Sequence, residues 1–418
     1  MNLTDQPFIN PEIICRADFD DAVVLFHPHL GQAIPVAGFA RDLWRALDGT
    51  RSLDAIAREL ATQYAQPPDT VLDDTLAFTQ ELYRRMFVLT EPLAPIPENV
   101  ERPSHYKLPD DDNTPPPAPV HDVAFALTLA DGTPFVLRAM DEHAARVVTF
   151  FAESAQLAQT SKVLKTFEVL VATRPFDAPG KIVCEIQPPH VLRRGKRRRD
   201  GNGRGEFIHE PLPENQWLWL QLLQLAACIG NQIQKRGGVL LHSALAVHPD
   251  LSGLQDLTGL GVLLTAHSGV GKSTASKRLP APWVALCDDT TLIVRDDADK
   301  YWAHPMPTWS HIFYDEQIRT WDTQSAVPLR AIFLLRQGEQ DRVTPLNPAH
   351  ALGFLLERAQ EPTQYWRENF SMCELGAFNR EQFDNLCELV RAVPCFLLDA
   401  RLDGEFWREM EQRMKAEG

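Results

Sequence analysis

Leu260-Gly261-Val262-Leu263-Leu264-Thr265-Ala266-His267-Ser268-Gly269-Val270-Gly271-Lys272-Ser273-Thr274 decides how the rest of the chain is read. An apolar run of strand length enters a glycine-rich turn, and the turn ends in a lysine and two hydroxyls that open a short helix, stopped by Pro280. This order of strand, loop and helix predicts a P-loop. Backbone N–H groups of Ser268, Gly269, Val270, Gly271, Lys272, Ser273 and Thr274 would cradle phosphates, Lys272 would reach the outer ones, and Ser273 would ligate Mg²⁺. The expected ligand is a nucleoside triphosphate, ATP in this reading, with GTP left open. Ala266 stands where the strict pattern has glycine, a mild change at a position with no need of positive φ. The competing reading is an ordinary Gly/Ser-rich turn.

The chain has 418 residues, 44% of them hydrophobic, enough for two or three domains with sizeable cores. Its most apolar helical stretch, Trp217 to Ile229, is too short and too rich in glutamine to span a bilayer, and the start does not resemble a signal peptide. A cytoplasmic protein without membrane contact is expected. Seven scattered cysteines (15, 184, 228, 287, 373, 387, 395) with no C-x-x-C pair read as reduced, mostly buried thiols. The net charge is −15, and residues 1–120 carry nine Lys and Arg against nineteen Asp and Glu, a poor balance for nucleic acid and a better one for a basic or apolar peptide. The basic run Arg193-Arg194-Gly195-Lys196-Arg197-Arg198-Arg199 reads as an exposed flexible loop whose role is open.

Nine prolines between residues 91 and 120 predict a stiff linker that divides the chain. The segments are then 1–90, the linker 91–120, a mixed α/β subdomain 121–235 with a hairpin around Asp131-Gly132, and a P-loop core 236–418 ending in helices. In the first segment, strands at Glu12–Arg16, Ala22–Phe26 and Gln32–Ile34 precede three helices. These are Phe39–Leu47, one capped by Ser52, and one starting at a capping Asp69 with Leu72, Leu76, Phe78, Leu82 and Met86 on its apolar face. Three strands and three helices suggest a winged helix, used for peptide binding, dimerisation or DNA contact. Ala22-Val23-Val24-Leu25-Phe26, Leu47-Asp48-Gly49-Thr50-Arg51-Ser52-Leu53 and Met86-Phe87-Val88-Leu89 resemble the PqqD family of peptide chaperones. That resemblance implies that residues 8–90 bind the leader of a precursor peptide as an added strand lying against the third helix, near Leu76, Thr79 and Tyr83.

Asp288 and Asp289 end an apolar strand after the loop, and a neighbour of the loop strand would deliver them beside the outer phosphate. One could hold metal and the other accept a proton from an attacking hydroxyl, although paired acids in a turn are commonly only solvated. His242, in Gly238-Val239-Leu240-Leu241-His242-Ser243, reads by itself as a core histidine. The succession of this strand, the loop and Leu286-Cys287-Asp288-Asp289 is similar to HPr kinase/phosphorylase, whose P-loop core is related to phosphoenolpyruvate carboxykinase. The resemblance implies Asp288 as base with His242 near it, Lys272 and Ser273 on phosphates and metal, and Asp289 assisting the metal. The interval after His242 is lengthened, and the family's later glycine-rich signature and its arginine have no evident counterpart, which leaves phosphorolysis and regulation in doubt. Asp288-Asp289-Thr290-Thr291-Leu292, Ala303 to Ser310 and Val327 to Phe333 look closer still to HPr-kinase-related proteins of peptide-maturation clusters, the ScmC-type cassette proteins. The turn His304-Pro305-Met306-Pro307-Thr308-Trp309-Ser310 would either shape a peptide site or cap the core.

The expected function is an ATP-dependent kinase that captures a precursor peptide by its leader and phosphorylates a hydroxyl in it, Ser or Thr. Two rivals stay open: a nucleotide-dependent partner that presents the peptide to another enzyme, and a small-molecule kinase. The related kinases form rings, so the resemblance also raises a homo-oligomer.

Overall fold

The computed structural model describes residues 1–19, 22–93, 119–120, 123–164, 167–173, 176, 178–186, 193–199, 205–211, 214–248, 259–267, 269–309, 320–367 and 370–416. Two compact units form, and neither is a continuous stretch of chain. One takes residues 1–102, 346–357 and 370–390, and the other 103–345, 358–369 and 391–418. Most of the proline-rich linker lies outside the described residues.

In the first unit β1 (Phe8–Ile9) pairs antiparallel with β5 (Val88–Leu89). The main sheet has β3 (Ala22–His27) between β2 (Ile14–Phe19) and β4 (Gln32–Ala37). Helices α1 (Gly38–Ala46), α2 (Leu53–Tyr64) and α3 (Pro68–Arg84) follow. Ser52 caps α2 as its type predicts, its Oγ accepting from Ala55 N at 3.3 Å. Asp69 does not cap α3. That helix begins one residue earlier, because Pro68 fits a first-turn position where no N–H is needed. Its buried stripe is Val71, Thr75, Thr79 and Leu82, with Leu72, Leu76 and Phe78 half-buried and Met86 beyond its end.

All six residues of β3 are buried, so the strand needs cover on both faces. Val23 and Leu25 pack with Leu43, Ile56, Leu60, Leu82 and Phe87. Phe26 stacks on Phe383 of the helix Met372–Ala392, centroids 4.1 Å apart and planes 2° apart. The same helix sends Asn379 Nδ2 to Pro28 O at 2.6 Å. Gly376 lets it close in, since a Cβ there would meet the His29 ring at 2.8 Å.

In the second unit, β6 (Ala124–Thr128) and β7 (Pro134–Ala139) form the expected hairpin within a five-stranded sheet ordered β10-β9-β7-β6-β8, with β8 Ala158–Gln159, β9 Glu168–Ala172 and β10 Ile182–Glu185. Helices α4 (Glu142–Ser154) and α5 (Glu214–Gln234) bury their apolar faces in one cluster with this sheet. The basic run is not a loop. It forms β11 (Arg193–Arg199), paired residue for residue with β12 (Gly205–Pro211), because a backbone ladder needs no apolar side chains.

The larger sheet carries the loop. Strand β15 (Leu260–Thr265) lies between antiparallel β14 (Ala244–His248) and parallel β19 (Val327–Gln337), and β19 is followed by parallel β21 (Cys395–Ala400). The carboxyl ends of β15, β19 and β21 therefore lie on one side. The apolar run Val239–Ala246 is not one strand, for it breaks at Ser243 into β13 (Val239–His242) and β14. Strand β14 also pairs with β16 (Val284–Cys287), and β13 pairs with β17 (Thr290–Arg295). Both segments change partner at one place, Ser243 on the first and Asp288-Asp289 on the second.

Candidate functional site

The loop Ala266–Gly271 joins β15 to α6 (Lys272–Arg278). Gly269 and Gly271 have φ of +82° and +113°, a region that disfavours side chains, and a Cβ on Gly269 would meet nothing within 4 Å. Backbone conformation, not space, requires these glycines. Ala266 is buried and has no positive φ, which explains why alanine serves there. Val270 N donates to His267 O at 3.2 Å, closing the turn. Ser268 lies outside the described residues. Ser273 is half-buried and Thr274 exposed on the first turn of α6.

The strand switch brings the other expected residues to the loop. His242 ends β13 opposite Thr290, the residue that follows Asp289. Thr265 Oγ1 donates to His242 O at 3.2 Å, and Thr291 Oγ1 to Ser243 O at 3.1 Å, tying the two bends to the end of the loop strand. The strand bearing the aspartates is not a direct neighbour of β15, since β14 lies between them. The acids still arrive because β16, antiparallel to β14, runs in the same direction as β15.

Lys272 Nζ donates to His242 Nε2 at 2.5 Å. An acceptor Nε2 places the ring proton on Nδ1, which faces Asp289 Oδ1 at 3.4 Å. Burial, then the Lys272 charge, pushes the histidine down to about 4, with Glu361 opposing, so it is neutral near pH 7. Burial likewise lowers Lys272, while Asp289 and Glu361 favour its charged form. Asp288 is buried, and its Oδ1 accepts from Thr308 Oγ1 at 2.7 Å.

Three further side chains reach this site, Glu361 and Arg358 without a sequence motif to announce them and Thr308 from the turn after β18 (Tyr301–Pro305). Glu361 Oε2 lies 3.6 Å from His242 Nε2, and Glu361 Oε1 lies 2.8 Å from Arg358 Nη1. The same Arg358 nitrogen donates to Ala266 O at 3.3 Å, where the loop begins. Thr308 belongs to the turn that was open between peptide site and core cap. His304 is fully buried, accepting from Ala130 N at 3.1 Å and facing Thr323 O at 2.8 Å, while Trp309 packs on Phe151. The turn caps the core and hands one hydroxyl to Asp288.

Among the described residues no group of three or more His, Cys, Asp or Glu side chains forms a metal cluster. The Asp289 carboxylate and the Ser273 hydroxyl are the donors that fit Mg²⁺.

On α3, Thr79 is buried with its hydroxyl donating to Thr75 O at 2.7 Å, so it faces the core and cannot select a peptide there. Tyr83 is 43% exposed and Leu76 half-buried. The edge of β4 passes beside the helix Pro348–Gln360, where a Cβ on Gly353 would sit 3.7 Å from Pro35 Cδ and 3.8 Å from Ala33 O.

Among the described residues no helix is long and apolar enough to cross a membrane. The class so defined is a mixed α/β protein in which a glycine-rich turn meets a histidine, a lysine and paired aspartates, joined to a small winged-helix-like unit. Residues 209–415 match the family model of the SynChlorMet cassette protein ScmC. Residues 22–88 match that of coenzyme PQQ synthesis protein D, PqqD, a peptide-recognition domain for precursor peptides. The chain is thus an ScmC-like protein with a PqqD-like domain at its N-terminus. No curated protein matches it.

Proposed function

We propose that the chain is an ATP-dependent kinase that phosphorylates a hydroxyl side chain, Ser or Thr, in a precursor peptide whose leader is held by the PqqD-like unit. The observation that supports this most is the gathering of Lys272, His242, Asp288 and Asp289 at the loop by two strand switches. A protein that only presented peptide in response to nucleotide would need the loop lysine but not the other three. In the reaction Lys272 holds the transferring phosphoryl group in place and offsets its charge. Asp288 takes the proton of the attacking hydroxyl, whose oxygen bonds to phosphorus as the bond to the leaving diphosphate breaks. Thr308 orients that carboxylate. His242 positions Lys272 on one ring nitrogen and faces Asp289 with the other. Mg²⁺ held by Asp289 and Ser273 would supply charge neutralisation. A leader bound to the first unit raises the concentration of the acceptor at the site.

The test is mass spectrometry of the peptide encoded beside this chain after incubation with Mg-ATP. One added phosphoryl group, absent with Lys272→Ala, is expected. Unmodified peptide that still binds the protein only when ATP is present would favour the presenting role.

A further inference from the structure

A pocket of about 370 Å³ opens beside the loop. It is lined by Val270 and Thr274, by Gln337 at the end of β19, and by Leu402, just after β21, together with Phe406 and Arg278. Neither His242 nor either aspartate lines it. We propose that this pocket receives the base and ribose of the nucleotide whose phosphates lie on the loop, a proposal that rests on the nucleotide-binding reading above.

Three observations converge on it. The pocket stands outside the carboxyl ends of the parallel strands β15, β19 and β21, where open α/β sheets collect their ligands. The loop itself lines it through Gly269, Val270 and Gly271, so a molecule whose phosphates lie on the loop is next to this space. The volume falls within the range of small-molecule sites, of order 300–1,000 Å³. The chemistry fits a planar, partly apolar group with a polar rim. Val270, Leu402 and Phe406 offer apolar surface. The Arg278 guanidinium lies 5.3 Å from the Phe406 ring centroid and donates to Arg401 O and Gly404 O, which keeps that side of the pocket in place. Gln337 Nε2 donates to Val270 O at 3.2 Å, fixing the amide at the loop with its oxygen as an acceptor toward donors of the ligand.

The experiment uses the full chain with Mg²⁺ and two ligands, ATP and inorganic tripolyphosphate, followed by photolabelling with 8-azido-ATP. The expectation is that ATP binds at least about tenfold tighter than tripolyphosphate, since base and ribose add contacts beyond the phosphates. The photolabel should fall on peptides containing Gln337 or Leu402–Phe406, and excess ATP should remove it. Equal binding of the two ligands, or an ATP-competed label elsewhere, overturns the proposal while leaving phosphate binding by the loop intact. Protection of these peptides by the precursor peptide but not by ATP overturns it in favour of an acceptor site. Binding of neither ligand removes the nucleotide reading, and this proposal with it.

Discussion

Lys272 Nζ and His242 Nε2 are 2.5 Å apart, so the loop lysine and the strand-end histidine form one hydrogen-bonded pair. Lys272→Ala should lower kcat by about a hundredfold to a thousandfold, the cost of removing a charged donor from a developing anion. After burial, the lysine charge is the main cause of the histidine's depressed value. The variant should therefore titrate His242 above about 4 and nearer 6.5, read by NMR of the ring. An unmoved histidine would mean that the pair does not form in solution.

Asp288→Asn keeps the size of the side chain and an oxygen that can accept from Thr308, but loses the base. Nucleotide affinity should hold while peptide phosphorylation falls by about two to four orders of magnitude. Thr308→Val should cost less, through kcat rather than KM, because the threonine touches the carboxylate and not the substrate. Loss of nucleotide binding in Asp288→Asn would assign Asp288 to the metal instead.

Phe383 covers the outer face of β3 by stacking on Phe26, and both are fully buried. Phe383→Ala should destabilise the unit by about 3–5 kcal/mol, measured by denaturant unfolding. Leader affinity should fall with it, although Phe383 lies far along the chain from residues 8–90. Unchanged stability would show that the PqqD-like sheet does not need this helix.

His27 is buried with neither ring nitrogen hydrogen-bonded, and burial, then the neighbouring His29, pushes it down to about 4, with Glu12 opposing. Its value is lowered on folding, so below pH 6.5 the unfolded chain takes up a proton that the folded chain refuses until about pH 4. Stability should therefore be full above pH 6.5 and fall across that window. The histidine contributes a slope of up to about 1.4 kcal/mol per pH unit. His27→Phe should flatten this part of the profile and raise stability near pH 7, since it removes unsatisfied buried polar atoms. A profile identical to that of the unsubstituted chain would place the acid sensitivity elsewhere.

Features that depend on neighbours along the chain are legible in the sequence. The loop needs its residues adjacent in the chain, so strand, turn and helix could be placed from consecutive letters, and the same holds for the Ser52 cap and the hairpin at Asp131-Gly132. The Asp69 start failed on a neighbouring preference of similar size, that of Pro68 for the first turn. Thr79 faces the core and not the expected peptide, because a threonine can bury its hydroxyl by donating to the carbonyl one turn back. The basic run pairs as a strand and not as the expected loop, because strand pairing is a backbone property that composition does not report.

The sequence by itself determined the loop, the histidine strand and the aspartate pair as elements, together with the strand-and-helix series of the N-terminal domain. Each of these depends on the spacing of neighbours. Only the tertiary structure decided that the strand Val239–Ala246 breaks at Ser243, that β14 separates the aspartates' strand from the loop strand, and that Arg358 and Glu361 close on Ala266 and His242. It alone placed the helix Met372–Ala392 over Phe26. These are pairings between distant segments, chosen by sheet register and by the need to bury both faces of a wholly buried strand, and no local pattern names the partner.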